Sequence, residues 1–329
     1  MAGTDGGEVV GKIVTLGEVV ADVYREEAPS EVEMPFTARP GGAPANVAVA
    51  VAKLGAEAAF VGRLGDDLFG GFILRALEAV GVDTSAILHQ PPPTRTTLAF
   101  VEVTENGDRE FTFYRSVPAA DELLSPEDIK RESLSGASFV NFGSIPLIKE
   151  PVRSATLRFT ELANEMDIPV AFDVNLREHL WESVEVARQT VAPVLDLSSV
   201  AKLSDDELSP ILGVEDPEEA AEILLDRGVS LVLVSMGGEG AFYATREFGG
   251  RLPRFEIDKV VDATGAGDAF LAATLTHLSE SPGWLYDEAT VREAVRRGTA
   301  AGALACTDYG AMQVLPTREE LERFMTVRS

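Results

Sequence analysis

At 329 residues, 45% hydrophobic and 25% charged, the chain has the length of one large α/β domain or two smaller ones and enough apolar content to bury a core, which excludes a disordered protein. A formal charge of −26, from 54 acidic against 28 basic residues, excludes an unguided binder of nucleic acid or of an anionic membrane, so any phosphate site has to be local. The first ten residues, MAGTDGGEVV, lack the basic start and apolar run of a signal peptide, and no stretch reaches the roughly 18 to 20 apolar residues that cross a bilayer; the expectation is a soluble, cytoplasmic protein.

In chain order, residues 1–11 are small and acidic and predict a flexible tail. A strand follows over Lys12–Leu16. A β-rich segment at about 20–38 returns at about 94–115, where TLAFVEV and REFTFYR flank Glu105-Asn106-Gly107-Asp108 and predict a hairpin. Between these pieces, 44–54 and 68–80 carry helical periodicity around the strand AAFVGRLG. From about 137 onward, strands ASFVNF, IPVAFDV, SVAKLS and VSLVLVSM alternate with helices near 151–166, 182–196 and 216–227. Such alternation implies βαβ units and a parallel sheet covered on both faces. A hairpin near 241–257 and helices at about 266–279 and 288–306 complete the reading. The two β-rich segments interrupt this pattern and pair as a small sheet above the strand ends, where an open α/β sheet binds ligands.

Asp262-Ala-Thr-Gly-Ala-Gly-Asp268 precedes an amphipathic run, AFLAATLTHL. Gly265, Ala266 and Gly267 leave backbone N–H groups open at the positive end of a helix, and phosphate is the natural guest. Asp268, in the first turn, reads either as an ordinary acid stabilising the helix dipole or as a base accepting a proton from an attacking hydroxyl. PGGAPANVAVAVAKLG puts Gly41 and Gly42 before a proline helix start, with Asn46 able to donate to and accept from hydroxyls; a capped glycine turn is the alternative. GGEG at 237–240 is a hairpin turn or a nucleotide loop. Gly6 to Lys12 has Walker spacing, but Ile13 stands where Ser or Thr is required. His89, His179 and His277 share no metal-ligand spacing, and the lone Cys306, in AAGALAC, suits a buried thiol.

GGAPANVA, then Gly55, Gly65 and GDDLFG, then DATGAGDAF, agree in order and spacing with the ribokinase-type, or PfkB, carbohydrate kinases, and the chain resembles that family from about residue 12 to residue 324. The resemblance implies a doubly wound α/β domain (12–20, 39–93 and 116–325) with a β-sheet lid (21–38 and 94–115), ATP with Mg2+, activation by K+, and a homodimer joined through the lids. It makes Asp268 the catalytic base and Gly265, Ala266 and Gly267 the anion hole, with the sugar held by Asp22, Gly41, Gly42 and Asn46. Ser204 and Glu207 fall on the family's N-x-x-E positions, Glu207 acting on Mg2+ indirectly. Ser204, Ser235, Gly237, Gly240 and Thr299, together with Gly265 and Gly267, fall on the ATP side, and Asp262 and Thr264 on the monovalent-cation loop. FTFYRS, FGSI, DVNLREHLW and LACTDYGAMQVLPTREEL are most similar to fructokinases. Arg115 and Arg177 face either a ketose or a carboxylate, which keeps 2-keto-3-deoxygluconate as the rival substrate. A catalytically silent sugar- or nucleotide-binding regulator is the alternative from a different class.

Overall fold

A computed structural model describes residues 11–26, 30, 32–103 and 109–328. Thirteen strands are found among them: β1 (Lys12–Leu16), β2 (Val20–Arg25), β3 (Phe36–Gly41), β4 (Glu57–Gly65), β5 (Ile87–Gln90), β6 (Leu98–Val103), β7 (Arg109–Tyr114), β8 (Ala137–Gly143), β9 (Val170–Asp173), β10 (Val200–Ser204), β11 (Leu231–Ser235), β12 (Ala241–Ala244) and β13 (Gly249–Leu252). The α-helices are α1 (Ala43–Lys53), α2 (Leu68–Ala79), α3 (Val152–Glu165), α4 (Val184–Leu195), α5 (Asp205–Leu212), α6 (Pro217–Asp226), α7 (Ala266–Ser279), α8 (Glu288–Ala305) and α9 (Arg318–Val327).

The large sheet runs β13-β12-β11-β10-β9-β8-β1-β4-β5, parallel from β11 to β5 with an antiparallel hairpin at the other edge. Its central strands are apolar without a polar phase: β9 is VAFD and β11 LVLVS, buried almost throughout. Strands sandwiched between two helix layers need this composition. One core packs α1, α7, α8 and α9 on Ile13, Phe60 and Phe139; the other packs α3, α4 and α6 on Val14, Phe142 and Phe172. Helices on both faces make the fold doubly wound. Chain order reverses between β1 and β8, the position where open α/β sheets carry their ligand crevice.

A separate sheet runs β3-β2-β6-β7. The expected hairpin joins β6 and β7 with Leu98 opposite Tyr114; its turn at 105–108 lies outside the described residues, as do residues 1–10 of the predicted tail. Gly11, the last residue of that predicted tail, is buried against Ser138 and Ser279 instead of being loose. Asp67 ties the small sheet to the large one. Its Oδ1 accepts from the N–H groups of Phe69 and Gly70 at 3.0 and 2.9 Å, capping α2, and its Oδ2 accepts from Thr96 N at 2.8 Å at the entrance to β6. The GDDLFG motif is thus a clasp between layers.

Three elements escape the sequence reading. β5 is only four residues long, and α5 holds Pro210 within eight residues. α9 carries its apolar face on only Leu321, Phe324 and Met325 in an otherwise polar segment, and its Thr317/Glu320 capping box is written in the sequence.

Candidate active site

Gly265, at φ 80°, turns the chain into α7 in a conformation that a side chain resists. The first N–H groups of any helix lack intrahelical acceptors, so the N-terminus of α7 presents donors and a positive dipole end. Asp268 sits in this turn at 7% exposure and accepts a hydrogen bond from Asn46 Nδ2, 2.8 Å away in the first turns of α1. Two motifs 222 residues apart therefore converge on one carboxylate. Burial raises its pKa, and the Asn46 hydrogen bond, Lys202 and Arg177 oppose that rise without cancelling it. The carboxyl is thereby moved toward the range useful to a general base.

A cavity of about 640 Å³ opens at this point. Its walls hold Asp22, Gly42, Asn46, Arg115, Arg177, Asp262, Thr264, Gly265, Gly267 and Asp268, all predicted from sequence. Gly41 abuts it, so close to Asp22 that a Cβ there would lie 2.1 Å from Asp22 Oδ2, and Ala266 opens α7. The lining mixes both sheets: Asp22 and Val20 come from β2, Ala99 from β6, Phe113 from β7, and Arg115 follows β7. His179, taken as incidental, stacks at 6.3 Å on Phe113 and so touches the small sheet.

Behind Asp268 lies a buried ionic cluster. Lys202 of β10 pairs with Asp173 of β9 at 3.0 Å, both side chains 6% exposed. Burial works against the Lys202 ammonium, but Asp173 and Glu207, helped by Asp268, raise its pKa. Asp173 is itself pushed up by burial and by the Asp268 charge, against the pull of Lys202. A Cβ at Gly267 would lie 3.0 Å from Lys202 Nζ, so this cation stands directly beneath the glycine turn that opens α7. Glu207 Oε2 accepts from Ser204 N at 2.8 Å and its Oε1 from Leu176 N–H, stapling the ends of β10 and β9. Both Glu207 oxygens thus accept a backbone hydrogen bond, and the residue is 6% exposed. No group of three or more potential metal ligands is found among the described residues.

Asp262 shapes the loop ahead of α7: Oδ1 accepts from Thr264 N at 2.9 Å and Oδ2 from Gly310 N at 2.8 Å. The neighbouring Tyr309 carbonyl accepts from Arg39 of β3 at 2.8 Å, so the small sheet touches the same loop. Of the predicted ATP-side residues, Gly265 and Gly267 line the cavity, whereas Ser204, Ser235, Gly237, Gly240 and Thr299 do not. Ser204 and Ser235 stand in register at the carboxyl ends of β10 and β11. Gly237 begins the turn after β11, and Gly240, at φ 98°, is packed against the Leu252 carbonyl in the β12–β13 hairpin. Thr299 lies within α8, its hydroxyl donating to Arg296 O at 2.8 Å. Cys306 is half-buried, and burial together with Asp262 raises its thiol pKa, away from a nucleophile's.

The sequence reading did not single out Glu18, Asp173, Asn175 or Lys202. A lysine inside the apolar strand SVAKLS is anomalous for a parallel core, and that anomaly was the available signal. Asn175, at φ 39°, lines the cavity in a conformation no composition argument reveals.

The sequence profile of the pfkB family carbohydrate kinases matches residues 10–318. Fructokinase-1 of Oryza sativa subsp. japonica is 41% identical over 321 residues, covering 95% of this chain and 97% of the relative. Xylella fastidiosa fructokinase with bound ATP superposes with a TM-score of 0.88 at 32% identity, covering 96% and 98% of the two chains. A double mutant of Vibrio cholerae O395 fructokinase, bound to fructose, ADP and potassium ion, gives 0.86 at 34% identity, covering 97% and 99%. With its doubly wound sheet, its small second sheet and the glycine turn that presents Asp268, the chain belongs to the pfkB family of carbohydrate kinases.

Proposed function

We propose that this carbohydrate kinase transfers the γ-phosphoryl group of ATP to a hydroxyl of fructose, giving fructose 6-phosphate. The observation that carries the reading is the meeting of Asp268, Asn46 and the N-terminus of α7 on the wall of one cavity. Asp268 takes the proton of the attacking hydroxyl, and Asn46 fixes the orientation of its carboxylate. Asp22, Gly41, Gly42 and Asn46 hold the sugar. The N–H groups of Gly265, Ala266 and Gly267 receive the charge of the transferring group, with Lys202 beneath them. Ser204, Ser235, Gly237, Gly240 and Thr299 form the nucleotide side, beyond the cavity. Glu207 would act through water on a Mg2+ that would neutralise the phosphates, and the loop of Asp262 and Thr264 would hold K+. The small sheet closes over the sugar and excludes water, which competes with the hydroxyl.

The charge around Arg115 favours a neutral ketose over 2-keto-3-deoxygluconate. Its guanidinium already faces Glu122 at 3.2 Å and Asp121 at 3.7 Å. That leaves it answered by two carboxylates instead of free to fork a substrate carboxylate. A silent regulator is disfavoured because the base and the anion hole are both present. Two copies pair through the small sheets, whose outward face carries a row of aromatic rings: Phe36 on Phe100 at 5.2 Å and Phe100 on Tyr114 at 4.9 Å, with Tyr114 62% exposed. The catalytic reading is tested by coupled ADP release against fructose, 2-keto-3-deoxygluconate, ribose and nucleosides, with and without K+. Fructose should give the highest kcat/KM; a higher value for the sugar acid overturns the assignment.

A further inference from the structure

One acidic group on the cavity wall has no part in the chemistry described so far. Glu18 follows β1 at the reversal point of the sheet and is 6% exposed. Its Oε2 is buried without a hydrogen-bond partner; the carboxyl otherwise bonds its own backbone N–H. It lines the 640 Å³ cavity and also an adjoining recess of about 160 Å³, the two sharing Phe113, Arg115, Ile145 and Leu180. The sugar-side glycine turn is pressed onto it, since a Cβ at Gly42 would lie 2.6 Å from the Glu18 carbonyl oxygen. Asp121, Arg115 and Arg177 are the charged groups that face it. Behind Arg115 stand Glu122 and Lys149, themselves paired at 2.8 Å. Burial pushes the Glu18 carboxyl up to about 7; Asp121 adds to the rise, while its own N–H, Arg115 and Arg177 oppose it.

A buried acceptor without a partner is costly unless a ligand supplies the missing donor. Resting on the fructose reading, we infer that Glu18 is a specificity-determining residue: its carboxylate accepts a hydrogen bond from a sugar hydroxyl other than the one phosphorylated, and its charge turns away sugar acids. A hydroxyl donated to a carboxylate makes a charge-assisted bond. A substrate carboxylate in the same place brings two like charges together at low dielectric. Because the accepting form is the ionised one, binding weakens as pH falls through the Glu18 titration.

The test uses the full chain, its Glu18→Gln and Glu18→Asp variants, and fructose and 2-keto-3-deoxygluconate as probes between about pH 6 and 8. The wild-type KM for fructose should fall roughly 10-fold across that range, as one titration near pH 7 requires. In Glu18→Gln the fructose KM should rise at least about 10-fold and lose its pH dependence, with kcat within a few-fold of wild type. Its preference for fructose over the sugar acid should shrink by about 10-fold or more. A residue that merely supports the fold would lower stability and kcat while leaving the pH slope of KM intact, and that result overturns the inference. So does a variant whose KM and sugar preference stay within about twofold of wild type. Should neither variant fold, a flat wild-type KM profile decides against it. If wild type does not turn over fructose, the proposed substrate fails, whereas Glu18 is still read by thermal shift with neutral and acidic sugars; equal shifts from both classes overturn its role.

Discussion

At the scale of single residues, the site is a problem of keeping charge where water cannot reach. Asp268 is buried and held by Asn46, so its pKa is raised. A base must be ionised to accept a proton, so kcat should decline on the acid side at a pH above the ordinary carboxylate range, and Asp268→Asn should abolish that limb together with activity. We expect Asp268→Asn to lower kcat by about 10³-fold or more while the melting temperature holds or rises, since a buried ionisable group is removed; a variant with near-normal turnover contradicts the assignment. Lys202 gives the opposite stability result. Lys202→Met strands Asp173 in the core and should cost about 3–5 kcal/mol in urea unfolding, part of it recovered when Asp173→Asn is added. Asp268 and Asn46 were legible because each belongs to a local glycine-rich pattern with its own geometry. The partner of Lys202 was not, because Asp173 lies on a strand that becomes its neighbour only after folding, nor was Glu18, whose charged neighbours Asp121, Arg115 and Arg177 come from three separate segments.

Individual elements carry the next layer of the argument. α7 starts on Gly265 and is buried along nearly its whole length, so its N-terminus cannot shift without moving the core. That rigidity suits a turn whose N–H groups must meet a transferring group without reorganising. The small sheet is attached by fewer ties, among them the Asp67 clasp. Burial works against ionising Asp67, yet the N–H groups of Thr96, Gly70 and Phe69 hold its carboxyl below the usual range. Asp67→Ala should cost about 1–2 kcal/mol through the lost cap. It should also raise hydrogen exchange at residues 95–99 and raise the sugar KM more than it lowers kcat. Helices and long apolar strands were readable from periodicity, and the N-terminus of α7 from its glycines. α5 was obscured by Pro210, although Ser204 and Glu207 spell a capping box; the family resemblance drew attention to their chemistry instead.

For the whole molecule, the alternation of strands and helices determined the fold class, but the order β11-β10-β9-β8-β1-β4-β5 follows from which helices cover which face, a packing outcome that no single segment encodes. The proposed pairing through the small sheets is the global property most open to test. A Tyr114→Glu substitution puts charge into the aromatic row and should convert a dimer to monomer in light scattering; an unchanged mass refutes pairing through this face. Finally, Arg39 of the small sheet reaches the Tyr309 carbonyl, and the next residue, Gly310, donates to Asp262, which in turn accepts from Thr264 at the threshold of α7. Three hydrogen bonds of this kind make a lever whose two ends are the small sheet and the loop proposed to hold K+. Thermodynamic reciprocity then requires that whatever factor K+ gains in fructose affinity, fructose returns in K+ affinity. Arg39→Ala should shrink both factors equally, measured by titrating each ligand at fixed concentrations of the other.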